Sequence, residues 1–332
     1  MRLRTIFVLA VLAVALPAVA LEWLALTPGR ALRAGPAVVE VPAHEGVFDI
    51  GRRLEKAGVV RSRFAFVALA VLNGSLRRLR AGEYEVARGA VTSDVVTLLE
   101  SGRVRQHTVL LPEGGTVSEV ARALEAERLA SAGEVLRVAT DRQFLASVDI
   151  DAGSVEGYLF PDTYHFVRGQ TVPEMLGRMV QRTRQKLTPE IVGRARARGL
   201  TLHQLLTLAS IIEREARAPE ERQLVSAVFW NRLRLDMPLQ ADPTVQYAVG
   251  KERLALTRTD LAVEHPYNTY RQVGLPPGPI ASPGMPSIEA ALDPAPVGYL
   301  YFVARNERHH YFSRTVEEHN AAVARYRRSR HP

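Results

Sequence analysis

Leu208-Ala-Ser-Ile-Ile-Glu-Arg-Glu-Ala216 sets two carboxylates, Glu213 and Glu215, into an otherwise apolar run. Just upstream, Thr201 and Gln204 have the spacing of a capping box, which predicts a helix beginning at Leu202. From there Leu202, Leu205, Leu206, Leu208, Ala209, Ile211 and Ile212 leave only a narrow polar strip of His203, Thr207, Ser210 and Arg214. So apolar a helix is mostly buried. At about 100° per residue the two glutamates fall on opposite edges of the strip. A carboxyl part-buried among Leu and Ile is expected to hold its proton more tightly than one in water, as a general acid must. The plainer reading of either glutamate is a structural carboxylate paired with an arginine. The residues of this stretch do not choose between Glu213 and Glu215.

A chain of 332 residues with 47% hydrophobic and 23% charged residues has the composition of a globular protein and room for two domains. Its net charge of +8 is carried almost wholly by arginine, scattered without aromatic interleaving. No nucleic-acid motif is present, so a nucleic-acid partner is not expected. A basic exterior suits a polyanionic wall polymer or an anionic membrane. Cysteine is absent, which excludes disulfides, thiol catalysis and thiolate metal sites. Residues 5–26 are apolar apart from Glu22 and follow Arg2 and Arg4. They read as a signal peptide cleaved after Ala20 or as an uncleaved transmembrane anchor. In both cases residues 1–4 are a cytoplasmic tip and the remainder is extracytoplasmic.

Residues 27–36 form a Pro- and Gly-containing linker. Then Val38–Pro42 reads as a strand, Val47–Lys56 and Ser62–Leu72 as helices, Gly82–Val86 as a strand and Thr92–Glu100 as a helix. The first strand–helix unit recurs seventy residues on. Val39, Pro42, Val47, Arg52, Leu54 and Glu55 match Val109, Pro112, Val117, Arg122, Leu124 and Glu125. The span 173–199 reads as helical and Arg-rich, and Pro219 opens a further helix to about Leu235. Residues 238–298 are dense in Pro and Gly and read as a loop region, held by its own packing, that walls a site. Strands at Tyr299–Val303 and Tyr311–Phe312 and a helix at Thr315–Arg327 complete the chain, with a basic, solvated end. These elements describe an α+β fold: a small N-terminal domain over 37–105 and a larger mixed α/β domain over 106–328.

Five blocks narrow the function: Glu156-Gly-Tyr-Leu-Phe-Pro-Asp-Thr-Tyr164, Leu208-Ala-Ser-Ile-Ile-Glu213, Leu239-Gln-Ala-Asp-Pro-Thr-Val-Gln-Tyr247, Tyr267-Asn-Thr-Tyr270 with the run from Gly274 to Gly284, and His310-Tyr-Phe312 with His319-Asn320. In order and spacing they resemble the endolytic murein transglycosylase family (YceG-like), membrane-anchored enzymes that cleave nascent peptidoglycan strands. The resemblance runs from the anchor to about Tyr326. It implies that the glutamate of the Ala-Ser-Ile-x-Glu block, here Glu213, is catalytic, and that 37–105 is a LysM-like glycan-binding domain. It also implies a single-pass protein of the inner membrane, with peptidoglycan synthases as partners. Arg308-His309 stands where the family often has glycines, which touches a turn rather than the chemistry.

The reaction implied is non-hydrolytic cleavage of the β-1,4 bond between N-acetylmuramic acid and N-acetylglucosamine, leaving a 1,6-anhydro end. Gln240, Asp242, Tyr247, Asn268 and Tyr270 are candidates for substrate binding, as are Glu156 and Tyr158. Each has a structural alternative in turn chemistry or ion pairing. Glu215 reads as an arginine partner, and His310 and His319 as core or turn residues. No metal-ligand spacing, phosphate loop or nucleophile elbow appears, and no cofactor is expected. Two other classes are a lysozyme-like hydrolase, with Asp242 or Glu156 as base, and a non-enzymatic wall-binding scaffold.

Overall fold

The computed structural model describes residues 2–251 and 254–330, with several side chains of the first and last helices outside the description. The architecture is mixed α+β, built of helices with small antiparallel sheets. It divides into two compact units, residues 1–107 with 165–170, and residues 108–164 with 171–332.

In the first unit come α1 (Arg2–Leu26), α2 (Arg30–Ala34), β1 (Ala37–Val41), α3 (Val47–Lys56), α4 (Arg63–Leu72), β2 (Gly82–Val86) and α5 (Thr92–Ser101). Strands β1 and β2 pair antiparallel, Val39 opposite Tyr84. Leu54, Phe66, Tyr84, Val95, Val96 and Leu99 fill the core between that ribbon and the helices. The buried Glu83 carboxylate is met within the same unit by His107 at 2.6 Å and Arg168 at 3.6 Å, which gathers 165–170 here. Helix α1 covers the segment read as an anchor. Among the described residues no helix is long and apolar enough to cross a membrane.

The chain continues through β3 (Gln106–Leu111), α6 (Val117–Ala126), α7 (Ala132–Ala139), α8 (Arg142–Ser147), β4 (Asp162–Val167), α9 (Val172–Lys186), α10 (Pro189–Ala197) and α11 (Leu202–Glu215). A 3-10 turn at Pro219–Glu221 leads into α12 (Arg222–Arg234), α13 (Asp242–Ala248), α14 (Arg258–Leu261), α15 (Met285–Leu292), β5 (Tyr301–Ala304), β6 (His310–Ser313) and α16 (Val316–Arg330). Strand β3 pairs with β4, and β5 with β6.

The span 173–199 is helical as read, in two helices: Thr188 caps α10 and Pro189, at its start, cannot donate to the helix before it. Two sequence expectations need revision. The helix opened by Pro219 is first a 3-10 turn and becomes α-helical only at Arg222. The region 238–298 is no continuous loop, since α13, α14 and α15 lie in it. Each is eight residues or shorter, and two carry proline in the first turn, so Pro and Gly punctuate helices there instead of excluding them.

The seventy-residue repeat is present in the backbone. His44 and Gly114 both take positive φ, at 66° and 71°, and so do Gly58 and Arg128, at 71° and 55°. After each helix an amide bonds back to the matching carbonyl, Val59 to Leu54 at 2.8 Å and Leu129 to Leu124 at 2.9 Å. The two strand–turn–helix units therefore share turn geometry as well as identities. In this register Glu113 occupies the place of Ala43.

Candidate active site

Helix α11 forms as its sequence requires. Thr201 Oγ1 accepts the Gln204 N–H at 3.1 Å and Gln204 Oε1 accepts the Thr201 N–H at 2.8 Å, closing the capping box. Every residue from Leu205 to Ile212 is buried. The helix packs on α10, α12, α13 and α15. Its polar strip does not face water. His203 Nε2 donates to the Pro277 carbonyl at 2.7 Å, so its Nδ1 accepts from the Tyr158 hydroxyl, also at 2.7 Å. Ser210 Oγ accepts the Ile280 N–H at 3.1 Å, and Arg214 donates to the Gly114 carbonyl at 3.1 Å. The Pro/Gly run 277–284 is thus strapped along α11. Gly157 (φ +78°) lies against it so closely that a Cβ there would stand 2.2 Å from Pro279.

The strap ends at Glu213. Its Oε2 accepts the Gly284 N–H at 3.0 Å, at the start of α15, and its Oε1 lies 3.4 Å from an Arg222 nitrogen. Only 6% of the Glu213 side-chain surface is open. Arg222 is fixed in turn by its Nε donating to Ser287 Oγ at 3.2 Å. The same guanidinium lies 3.8 Å from Glu113, on the connection between β3 and α6, whose side chain is 47% exposed. Both carboxylates pack on Gly284, where a Cβ would lie 2.0 Å from Glu113 Oε1. Burial and the adjacent Glu213 raise the proton affinity of Glu113, against the pull of Arg222. Sequence reasoning missed Glu113, which is distant in the chain and looks like part of a Glu-Gly-Gly turn. Its signal was the repeat, in which the second copy carries a carboxylate where the first has alanine.

Glu215 points roughly 200° away from Glu213 around the helix. Burial, and next the charge of Asp242, push its carboxyl up to about 8, although Arg217 and the Asp242 backbone N–H act the other way. Asp242 also accepts the Tyr270 hydroxyl at 2.6 Å. Glu215 therefore belongs to an acid cluster with Asp242 and Tyr270 as well as having an arginine nearby.

The candidate binding residues divide accordingly. Asp242 and Tyr270 meet at Glu215. Gln240 accepts from Arg232 at 3.0 Å, and that buried guanidinium also donates to the carbonyls of Pro238, Leu239 and Leu300. Asn268 is buried, donating to the Leu261 and Val263 carbonyls and accepting the Tyr270 N–H. Tyr247 packs on Tyr267, ring centroids 4.9 Å apart. Glu156 accepts the Val117 N–H at the start of α6, and Tyr158 is held by His203. These bonds build the wall and its neighbours, and none of them reaches the Glu213 carboxylate. His310 is tied to Glu221 at 2.7 Å and His319 stacks on Tyr301, structural settings for both. At the departure from the family pattern, Asn306 Oδ1 accepts the Arg308 and His309 N–H groups and closes the turn without glycine. Among the described residues no group of His, Asp and Glu is placed to hold a metal.

Two open surface hollows, of about 520 and 510 Å³, are lined by residues that include Arg142, Leu145 and Ile150 and by Arg77, Arg80, Thr97 and Glu100, and neither includes Glu213.

A model of the YceG-like family matches residues 39–325. An endolytic murein transglycosylase of Bacillus subtilis (strain 168) is 33% identical over 304 residues, 87% of this chain and 84% of that protein. The protein of the same name from Streptococcus pneumoniae serotype 2 is 31% identical over 320 residues, and there the chain spans 58% of the relative's length. The crystal structure of a YceG-like protein from Listeria monocytogenes matches with a TM-score of 0.62 at 35% identity. That match covers 86% of this chain and 98% of the other.

Proposed function

The chain belongs to the YceG-like family, and from that premise we propose that it cleaves peptidoglycan strands as an endolytic transglycosylase with Glu213 as its acid–base residue. The observation that carries this reading is Glu213 itself: a carboxyl on a buried helix, oriented by the Gly284 N–H and Arg222. Protonated, Glu213 gives its proton to the glycosidic oxygen as the bond to C1 of N-acetylmuramic acid breaks. As carboxylate it then takes the proton of the C6 hydroxyl, whose oxygen closes on C1. The nucleophile belongs to the substrate, so water is not consumed and the new end is a 1,6-anhydro sugar. Holding that hydroxyl near C1 supplies the proximity that a bimolecular attack lacks.

The sequence of 5–26 supports a single-pass anchor in the inner membrane with the rest of the chain outside it, close to the synthases that make the strands. The strand–helix–helix–strand order of β1, α3, α4 and β2 supports a LysM-like, glycan-binding role for 37–105. In the wall, Asn268 ties the backbone at Leu261 and Val263, and Gln240 and Tyr247 hold Arg232 and Tyr267, beside surfaces offered to the glycan.

A hydrolase is the second reading, and Glu113 beside Glu213 is the observation that favours it, since hydrolases use two carboxylates. The bases first considered, Asp242 and Glu156, are engaged elsewhere. Product chemistry decides. Glycan strands treated with the full chain in detergent are analysed by mass spectrometry with and without borohydride, beside Glu213→Gln. Ends one water lighter than hydrolysis products, inert to borohydride and absent with the variant, are expected. Reducible ends would establish the hydrolase instead.

A further inference from the structure

The last turns of α1 do not end in a free tether. Leu21, Leu24 and Ala25, at helical i, i+3 and i+4 spacing, are part-buried, and α1 packs on α4 and α5. Arg61, just before α4, sets its guanidinium 4.9 Å over the Trp23 ring. Beyond α1 the chain is held at once: the Ala31 N–H donates to the Gly58 carbonyl at 3.0 Å, and Leu32 is buried in the core of the first unit. From Leu26 to Leu32 the chain can reach at most about 20 Å. With 5–26 as an anchor, this unit is therefore held at the membrane surface.

On the same unit α4 exposes an apolar face. Phe64, Val71 and Leu72 lie within about 100° of one another around the helix, with Ala68 between them. Phe64 is 58% and Leu72 81% exposed, while Ala65, Phe66, Val67 and Ala70 of the same helix are buried. Single exposed hydrophobics are ordinary, whereas a helix apolar on both its buried and its open side marks a second apolar surrounding. Arginines border the face. Arg63 lies 4.9 Å over the Phe64 ring. After the helix, Arg77, Arg78 and Arg80 line the hollow of about 510 Å³, where Arg78 also pairs with Glu100 at 2.8 Å.

We propose that the Phe64–Leu72 face of α4 lies in the headgroup layer of an anionic bilayer, a second membrane contact beside α1, with Arg63 and Arg77 on lipid phosphates. Apolar side chains of such a face enter roughly 5–10 Å, and arginine stems reach back to the phosphates. Near an anionic surface each arginine is worth about fivefold in the docking equilibrium. The contact holds the unit in one orientation where a single anchor would let it swing. This inference rests on the reading of 5–26 as an uncleaved anchor.

The chain has no cysteine, so one introduced cysteine carries one label. Phe64→Cys and Leu72→Cys, each in the full chain and labelled with an NBD fluorophore, are reconstituted in vesicles of phosphatidylcholine with or without phosphatidylglycerol. Flotation tests the anchor by itself: a chain that does not float with vesicles overturns that reading, whatever the labels do. In vesicles holding the chain, both labels are expected to be quenched by nitroxide lipids and shielded from iodide. The lipid quenching falls severalfold in neutral vesicles, and likewise when Arg63→Glu and Arg77→Glu are combined. Labels open to iodide and untouched by lipid nitroxide overturn the proposal. Shielding from iodide without lipid quenching also overturns it, since a second copy or another protein would then cover the face. Equal lipid quenching in neutral and anionic vesicles overturns the part given to the arginines.

Discussion

Replacing Glu215 by Gln removes the one carboxyl whose burial and charged neighbour push it as far as about 8, from an ordinary 4.5. A carboxyl raised on folding binds its proton more tightly in the native than in the unfolded chain. Its contribution is whole below the unfolded value and is lost as pH climbs toward the folded one, a window here from about 4.5 to about 8. Within it the native state loses up to about 1.4 kcal/mol per pH unit relative to the unfolded chain. Glu215 keeps part of its surface accessible, so the loss between about pH 5 and about pH 7.5 comes to roughly 2 kcal/mol rather than the full slope. Gln is isosteric, can still accept the Asp242 N–H, and does not titrate. Urea unfolding of both chains, followed by circular dichroism at the two pH values, isolates the effect of the Glu215 cluster, because titrating groups outside it cancel in the comparison. The variant gains on wild type by roughly 2 kcal/mol at the higher pH relative to the lower. A difference that does not grow with pH would refute the reasoning.

Arg232→Met leaves four acceptors, the Pro238, Leu239 and Leu300 carbonyls and Gln240 Oε1, without their guanidinium. It should cost about 3 kcal/mol or more in urea unfolding. Lysine cannot restore that geometry, and Arg232→Lys recovers less than half. Gly157→Ala forces a Cβ toward Pro279 and strains a left-handed backbone, a loss of about 2 kcal/mol or more. It loosens the strap over 277–284, so limited proteolysis should cut there faster than in wild type.

Helix α11 was legible because its signals are local: a capping box, a 3.6-residue apolar period and a thin polar strip. That period also placed Glu213 and Glu215 on different sides. What the strip binds was not legible, since His203, Ser210 and Arg214 meet carbonyls and amides distant in the chain. The Pro/Gly density of 238–298 hid three short helices for a similar reason. Their stability comes from tertiary packing, α15 on α11 and α12, α13 on α11 and α14 on α13, which composition does not record. Asn268 and Gln240 carry polarity suited to sugar contact; Asn268 bonds backbone, as turn residues often do, and Gln240 accepts from the Arg232 guanidinium, partners that polarity alone does not name. Glu113 escaped because it joins the site through Arg222, and an ion pair between distant segments leaves no periodic trace.

Helix α11 is enclosed by α10, α12, α13 and α15, and amides in such a setting exchange with solvent only when the whole unit opens. Glu213 therefore stands on an element expected to loosen last. On heating, cleavage activity and the cooperative structure of this unit are expected to be lost at the same temperature, which parallel activity and circular dichroism melts would check.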